Sequence, residues 1–131
     1  MPWNVSWLDA EESIVTYEPV DPWTWEEFVE AIRQGQTMIR EKEYIVDTVY
    51  QLHPPIVMPS ANALGYFREV YATDPKNSGM NAVIGANPYV QTLVGIITAV
   101  MGGTSRFRFV SNMDEALAAI EEVRSGRATG T

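Results

Sequence analysis

The chain has 131 residues, of which 46% are hydrophobic and 20% are charged. This length predicts one domain, because two domains of half the size would each bury too little apolar surface to be stable. Four Trp, six Tyr and four Phe supply core-forming side chains, which excludes a disordered chain. We expect a single soluble domain over residues 1–124, followed by a flexible tail over residues 125–131.

The charge balance restricts the partners. Seventeen acidic residues against nine Lys and Arg residues give a net charge of −8. Nucleic acids and anionic membranes require a concentrated basic face, whereas the basic residues here are scattered and Arg106 and Arg108 are the densest pair. We therefore expect neither partner. The first 32 residues contain eight acids and no base, which indicates a solvated face that aids solubility or a surface for a basic partner.

Cysteine is absent, which excludes disulfides, thiol nucleophiles and Cys-type zinc sites. Its absence fits a reducing compartment, and the start of the chain has no secretory signal pattern, so we expect a cytoplasmic protein. Residues 77–105 contain no charged residue. Their apolar run Val90–Met101 is nevertheless only twelve residues long, and a membrane-spanning helix needs about 20. The sequence predicts no membrane insertion.

The first elements are two short strands and a helix. Alternating and β-branched residues predict strands at Trp3–Trp7 and Ser13–Glu18, joined as a hairpin. Thr24 is then expected to cap a helix, with Glu27 as the reciprocal half of a capping box. Helical spacing of apolar residues continues to about Glu41.

Two further strand–helix units follow. The β-rich run Tyr44–Leu52 predicts a strand that is covered on both faces. A second helix begins at Ser60 or Asn62, and a short buried strand is predicted at Met80–Ala86. The third helix has Pro88 at its first position, where the missing N–H costs no hydrogen bond.

The chain closes with a strand and a helix. Arg106–Val110 alternates charged and apolar residues, which is typical of an edge strand. Asn112 and Glu115 predict the start of the last helix, with Leu117 and Ile120 facing the core. The element order is β-β-α-β-α-β-α-β-α. This order predicts an α/β fold with a mixed, mostly parallel sheet of about five strands and four helices.

This element order, over nearly the whole chain, resembles the STAS domain, the fold of bacterial anti-sigma-factor antagonists. More narrowly, the chain looks like small stand-alone bacterial members of this fold, through the helix start Trp23–Glu27 and the Ile-Val-Asp strand Ile45–Asp47. The resemblance implies a signalling module that docks on a regulatory protein. In that family a serine opening the helix after the central strand is phosphorylated, and the matching position is Ser60. The flanking acid and glycine are missing here, so Ser60 is either a phospho-acceptor or a helix cap.

Two further polar residues, His53 and Asp47, are candidate site residues. His53 is the only histidine, and no Gly-x-Ser-x-Gly elbow accompanies it, so no catalytic triad and no enzyme activity are expected. Asp47 lies mid-strand, where a charge requires a partner. That partner is expected to be an arginine or a helix N-terminus, or else Asp47 and His53 line a pocket. One His and no Cys predict no metal site and no cofactor.

The third helix is apolar on all sides, which is unusual for a helix in water. Its second side carries Tyr89, Thr92, Ile96 and Ala99. Because one side must meet the sheet, we expect the other to pair with a second copy, to line a lipid-like pocket, or to be covered by the chain's own tail. The predicted function is a non-enzymatic, homodimeric STAS-like interaction or regulatory module. The alternative is a carrier of a small apolar or lipid-like ligand, as in CRAL-TRIO domains of the same fold class.

Overall fold

The computed structural model describes residues 3–53, 63–100 and 106–128. These residues form one five-stranded sheet and four helices, so the predicted α/β class and element order are confirmed. The elements are β1 (Trp3–Trp7), β2 (Ile14–Pro19), α1 (Trp25–Arg40), β3 (Val46–Gln51), α2 (Ala63–Tyr71), β4 (Ser78–Ile84), α3 (Pro88–Val100), β5 (Phe107–Val110) and α4 (Met113–Ala128).

The strands are arranged in their order along the chain, from β1 at one edge to β5 at the other. β1 and β2 are antiparallel, and the three remaining pairings are parallel. The sheet is therefore mixed and mostly parallel, as predicted. Because β2 to β5 advance in one direction, right-handed crossovers place all three connecting helices on one face of the sheet. α4 follows the last strand and packs on the opposite face, against β4 and β5.

The hairpin between β1 and β2 is held by one carboxylate. Oδ1 of Asp9 accepts hydrogen bonds from the backbone N–H groups of Ser13 (2.9 Å) and Ile14 (3.0 Å), and the Ser13 hydroxyl donates to Oδ2. Burial acts to raise the pKa of Asp9, but these hydrogen bonds outweigh it and the pKa is lowered. The ionised carboxylate thus stabilises the turn.

The start of α1 confirms the predicted capping box. The Thr24 side chain accepts from the Glu27 N–H at 3.1 Å, and the Glu27 carboxylate accepts from the Thr24 N–H at 2.8 Å. Trp23 and Phe28 flank the cap and are both buried, with ring centroids 6.3 Å apart. The cap and this staple together fix the angle at which α1 enters the larger core.

The larger core lies between the sheet and helices α1 to α3, and it is rich in aromatic rings. Tyr17 of β2 passes under α1 at Gly35, where an added Cβ would lie 1.8 Å from the Tyr17 hydroxyl oxygen. Tyr17 is also stacked on Tyr50, with ring centroids 5.0 Å apart, so its ring has little room to move aside. Glycine in the middle of α1 is therefore required by packing, although it weakens the helix locally.

The smaller core lies under α4, where Ala116 and Ile120 pack against the other face of the sheet. Leu117 was predicted to join this core and is instead exposed. The reason is geometric: α4 turns its Ala116–Ala119–Ile120 side to the sheet, and Leu117 lies off that side. None of the described helices combines the length and apolarity needed to cross a membrane.

α4 also continues to Ala128, past residue 124, where the sequence analysis placed the end of the folded domain. Residues 125–128 are thus helical, and Arg127 is bound to Asp47 of β3. The assignment of these four residues to a flexible tail is corrected by this contact. The remaining tail residues, 129–131, lie outside the described part of the chain.

Candidate functional site

Asp47 of β3 is the one fully buried carboxylate among the described residues, with 0% of its side chain exposed. Its Oδ1 accepts from the Met80 N–H (2.9 Å) and from Nη2 of Arg127 (2.7 Å). Its Oδ2 accepts from Nε of Arg124 (2.9 Å) and Nη1 of Arg127 (3.1 Å). Of the predicted partners of Asp47, an arginine or a helix N-terminus, the structure shows arginine, and Asp47 forms ion pairs with two arginines. The Asp47 hydrogen bond raises the pKa of Arg127 above its ordinary value.

The backbone of β4 leaves space for the carboxylate of Asp47. At Gly79 of β4, an added Cβ would lie 2.1 Å from Oδ1 of Asp47, so any side chain there would displace the carboxylate. Arg124 also donates to the backbone oxygen of Ser13 at 2.9 Å. The two arginines therefore tie the end of α4 to the beginnings of β2, β3 and β4. With both oxygens fully occupied, Asp47 serves as a structural anchor in this arrangement.

His53 lies at the other end of β3. Its mostly exposed ring contacts the carboxylate of Glu18 on β2. His53 lies six positions after Asp47 on extended chain, a span of about 20 Å at the usual rise of a strand. The structure therefore does not bring together Asp47 and His53, the two residues named as possible pocket residues. Ser60, the predicted phospho-acceptor or cap, lies outside the described residues.

One side of α3 lies in the larger core, and the other side faces solvent. Asn87 caps the helix by accepting from the Val90 N–H at 2.9 Å, and Val90, Leu93 and Val94 are buried in the larger core. The opposite side is exposed. It carries the four residues singled out from the sequence, which we call the α3 surface: Tyr89, Thr92, Ile96 and Ala99.

The α3 surface is largely apolar and open. Tyr89 is 54% exposed and Ile96 is 42% exposed. Between them, Gly95 has nothing within 4 Å of the position that a Cβ would take. Phe109 of β5 is also exposed and lies on the same side of the sheet as Phe107, which packs against the larger core. These exposed apolar side chains make this side of the domain a candidate binding surface.

A small apolar cavity lies inside the larger core and was not predicted from the sequence. Its volume is about 40 Å³, and aromatic and aliphatic side chains line it, including Trp3, Trp23 and Phe67. The indole N–H groups of Trp3 and Trp23 are buried without a hydrogen-bond partner among the described residues. The only sequence signal for it is the density of aromatic residues in the first third of the chain, which spacing alone does not assign to a cavity.

Three tyrosine hydroxyls also lie inside the larger core, and we call their residues the inner tyrosines: Tyr17, Tyr50 and Tyr71. Burial raises the pKa of each of them well above its ordinary value. Their neutral forms are part of the packing, and the Tyr17 hydroxyl donates to the backbone oxygen of Ile32 at 3.5 Å. Within residues 3–53, 63–100 and 106–128, no group of three or more His, Asp or Glu side chains is placed to hold a metal ion.

No protein-family model matches the chain, and no curated protein or solved structure is significantly similar to it. The resemblance to the STAS domain therefore stays a prediction.

Proposed function

We propose that the protein is a non-enzymatic interaction module of the STAS type, which acts as a homodimer formed through the α3 surface. The observation that carries the proposal is the exposure of Tyr89 and Ile96 on a helix without charged residues. Each square ångström of apolar surface that leaves water on association stabilises a complex by about 25 cal/mol. A partner that covers this surface gains that stabilisation.

The spacing and the sizes of the α3 surface residues favour a second copy of the chain as the partner. These residues are spaced three, four and three positions apart, which is the spacing of the contact seam in paired helices. Large and small side chains also alternate along it, in the order Tyr89, Thr92, Ile96, Ala99. A two-fold axis brings the same surface of both copies together. Large residues of one helix can then pack beside small residues of the other.

The distribution of charge also favours a second copy of the chain as the partner of the α3 surface. Two copies with a net charge of −8 repel one another over most of their surfaces. Residues 77–105, which include all of α3, contain no charged residue. The α3 surface is therefore a side on which two acidic copies can approach with little repulsion and with no charge to desolvate. We expect the dimer to work in the cytoplasm and to present its other faces to a regulatory protein.

A carrier of a small apolar ligand is the second candidate, and the apolar cavity is the observation that favours it. Ligand pockets usually measure about 300–1,000 Å³, whereas this cavity has about 40 Å³. A lipid-like ligand would need the larger core to open by several times that volume. The α3 surface needs no such rearrangement to bind a second copy, so we prefer the interaction module.

Mass spectrometry of the protein purified from its source cells separates these functions. We expect a native mass of two chains and a denatured mass equal to that of the unmodified chain. A native mass of one chain at a concentration of about 100 μM would contradict the dimer, since a dimer with a Kd in the micromolar range or below would be largely formed there. A small molecule that is present in the native spectrum and lost on denaturation would favour the carrier. A phosphate-sized increment on Ser60 would add phosphorylation to the module.

A further inference from the structure

A groove with a volume of about 310 Å³ lies on the α4 side of the sheet, at the amino-terminal ends of β4 and β5. Three arginines line it: Arg106 and Arg108 from the β5 segment and Arg127 from α4. Ile45 and Val123 form an apolar part of the wall. The groove shares no residue with the α3 surface, so an inference about it is independent of the dimer.

The arginines around the groove outnumber their acidic partners. Arg124 and Arg127 share the single carboxylate of Asp47. Arg106 pairs with Asp74, and Arg108 pairs with the exposed Glu122. Four guanidinium groups thus face three carboxylates, which leaves an excess of one positive charge in a chain whose net charge is −8. Local positive potential in an acidic protein attracts anions to this place.

Arg108 is the arginine with donors to spare. Its Nη2 lies 3.6 Å from the Glu122 carboxylate, which is beyond hydrogen-bond distance. In the described part of the chain, its guanidinium makes no hydrogen bond. Arg106 directly precedes β5, and its backbone oxygen accepts from the Asn81 N–H of β4 at 2.7 Å, so the chain is paired with the sheet there as well. Arg106 and Arg108 are two positions apart on this extended chain, so both project from the same face of the sheet, about 7 Å apart. An anion between them can be held by both side chains.

We propose that this groove binds a phosphate monoester, with Arg108 as its principal ligand. The planar fork of arginine matches the oxygens of a phosphate group and can donate two parallel hydrogen bonds to it. The organic part of the ester would lie against Ile45 and Val123, because Ile45 is exposed at the edge of the groove. The volume of the groove suits a small molecule at the lower end of the usual ligand range.

The experiment is a titration of the ¹⁵N-labelled protein by NMR, with inorganic phosphate and with phenyl phosphate as probes. We expect saturable shifts at the amides of β4 and β5 that line the groove, with tighter binding of phenyl phosphate. Arg108→Gln should weaken phenyl phosphate binding by about tenfold or more, because a hydrogen bond to a charged group is lost. The Arg108 side chain is half-exposed and makes no hydrogen bond, so this variant is expected to fold.

Arg33→Gln is the matched control, because Arg33 is also an exposed arginine paired with a glutamate, on the other face of the molecule. It should leave the affinity unchanged. Equal shifts with sodium chloride at the same ionic strength would overturn the proposal, as would equal affinities of the wild type and Arg108→Gln. Binding of inorganic phosphate that is as tight as that of phenyl phosphate would overturn the assignment to an ester.

Discussion

The replacement Asp47→Asn tests the role of the buried carboxylate as an anchor. Asparagine keeps the shape of aspartate and can still accept from the Met80 N–H. It loses the charge, however, and its amide N–H₂ group would face the guanidinium donors of Arg124 and Arg127. Both arginines are then left without their counter-ion at the edge of the smaller core, and the end of α4 loses its attachment to the sheet.

The expected loss of stability depends on how deeply Asp47 and its two arginine partners are buried. Breaking a buried ion pair by removing one partner costs about 3–5 kcal/mol. Asp47 is completely buried, but the side chains of Arg124 and Arg127 are 33% and 28% exposed, so water can partly solvate the released guanidinium groups. We therefore expect the lower end of the range, a loss of about 3 kcal/mol in the free energy of unfolding.

Equilibrium urea denaturation, followed by far-UV circular dichroism, measures this loss. The control is Glu69→Gln, which removes the carboxylate of an exposed ion pair with Arg33 and should cost less than about 1 kcal/mol. In an Arg127→Gln background, Asp47→Asn should cost less than in the wild type, because the two residues interact directly. If Asp47→Asn costs no more than Glu69→Gln, the anchoring role is wrong.

Three further predictions concern stability. Gly35→Ala should lower the free energy of unfolding by about 2 kcal/mol, because the added methyl group overpacks the core. Gly95 has open space around it, so Gly95→Ala should instead raise the free energy of unfolding by up to about 1 kcal/mol. Urea midpoints that shift in the same direction for both variants would contradict this. Because burial raises the pKa of the inner tyrosines, the unfolded state releases their protons first, and stability should fall as the pH rises above about 10. Tyrosinate absorbance should then show these residues ionising only with unfolding, and reversible ionisation of all six tyrosines in the folded protein would refute it. Because the pKa of Asp9 is lowered in the folded state, the contribution of its carboxylate to the free energy of unfolding should be present above about pH 4 and be lost as the pH falls further. The difference in stability between Asp9→Asn and the wild type should therefore shrink from pH 7 to about pH 3. A difference that stays constant over this range would argue against this role of Asp9.

Features that depend on neighbours in the sequence were predictable. The capping box of Thr24 and Glu27 and the start of α3 at Pro88 each involve residues within one helical turn. The order of strands and helices then limits the sheet to a few topologies, because parallel crossovers are almost always right-handed. The division of α3 into a buried and an exposed side follows from its length and from having one sheet to pack on.

Features that depend on distant residues were not predictable. The sequence indicated that Asp47 needs a partner, but the partners lie 77 and 80 residues further along the chain. Since that contact also holds the end of α4, the length of the helix was underestimated for the same reason. The need for glycine at position 35 likewise depends on a distant residue, because the Tyr17 hydroxyl that fills the space comes from another element. The groove on the α4 side also combines Ile45 and β4 with β5 and α4, which lie further along the chain.

Sedimentation velocity of two matched variants tests whether two copies pair through the α3 surface. Ile96→Asp places a charge on the α3 surface, and Val20→Asp places the same charge elsewhere on a residue of similar exposure, 45% for Val20 against 42% for Ile96. We expect a dimer for the wild type and for Val20→Asp, and a monomer with an unchanged circular dichroism spectrum for Ile96→Asp. A dimer of unchanged affinity in Ile96→Asp, or a monomeric wild type, would show that the chain does not pair through the α3 surface.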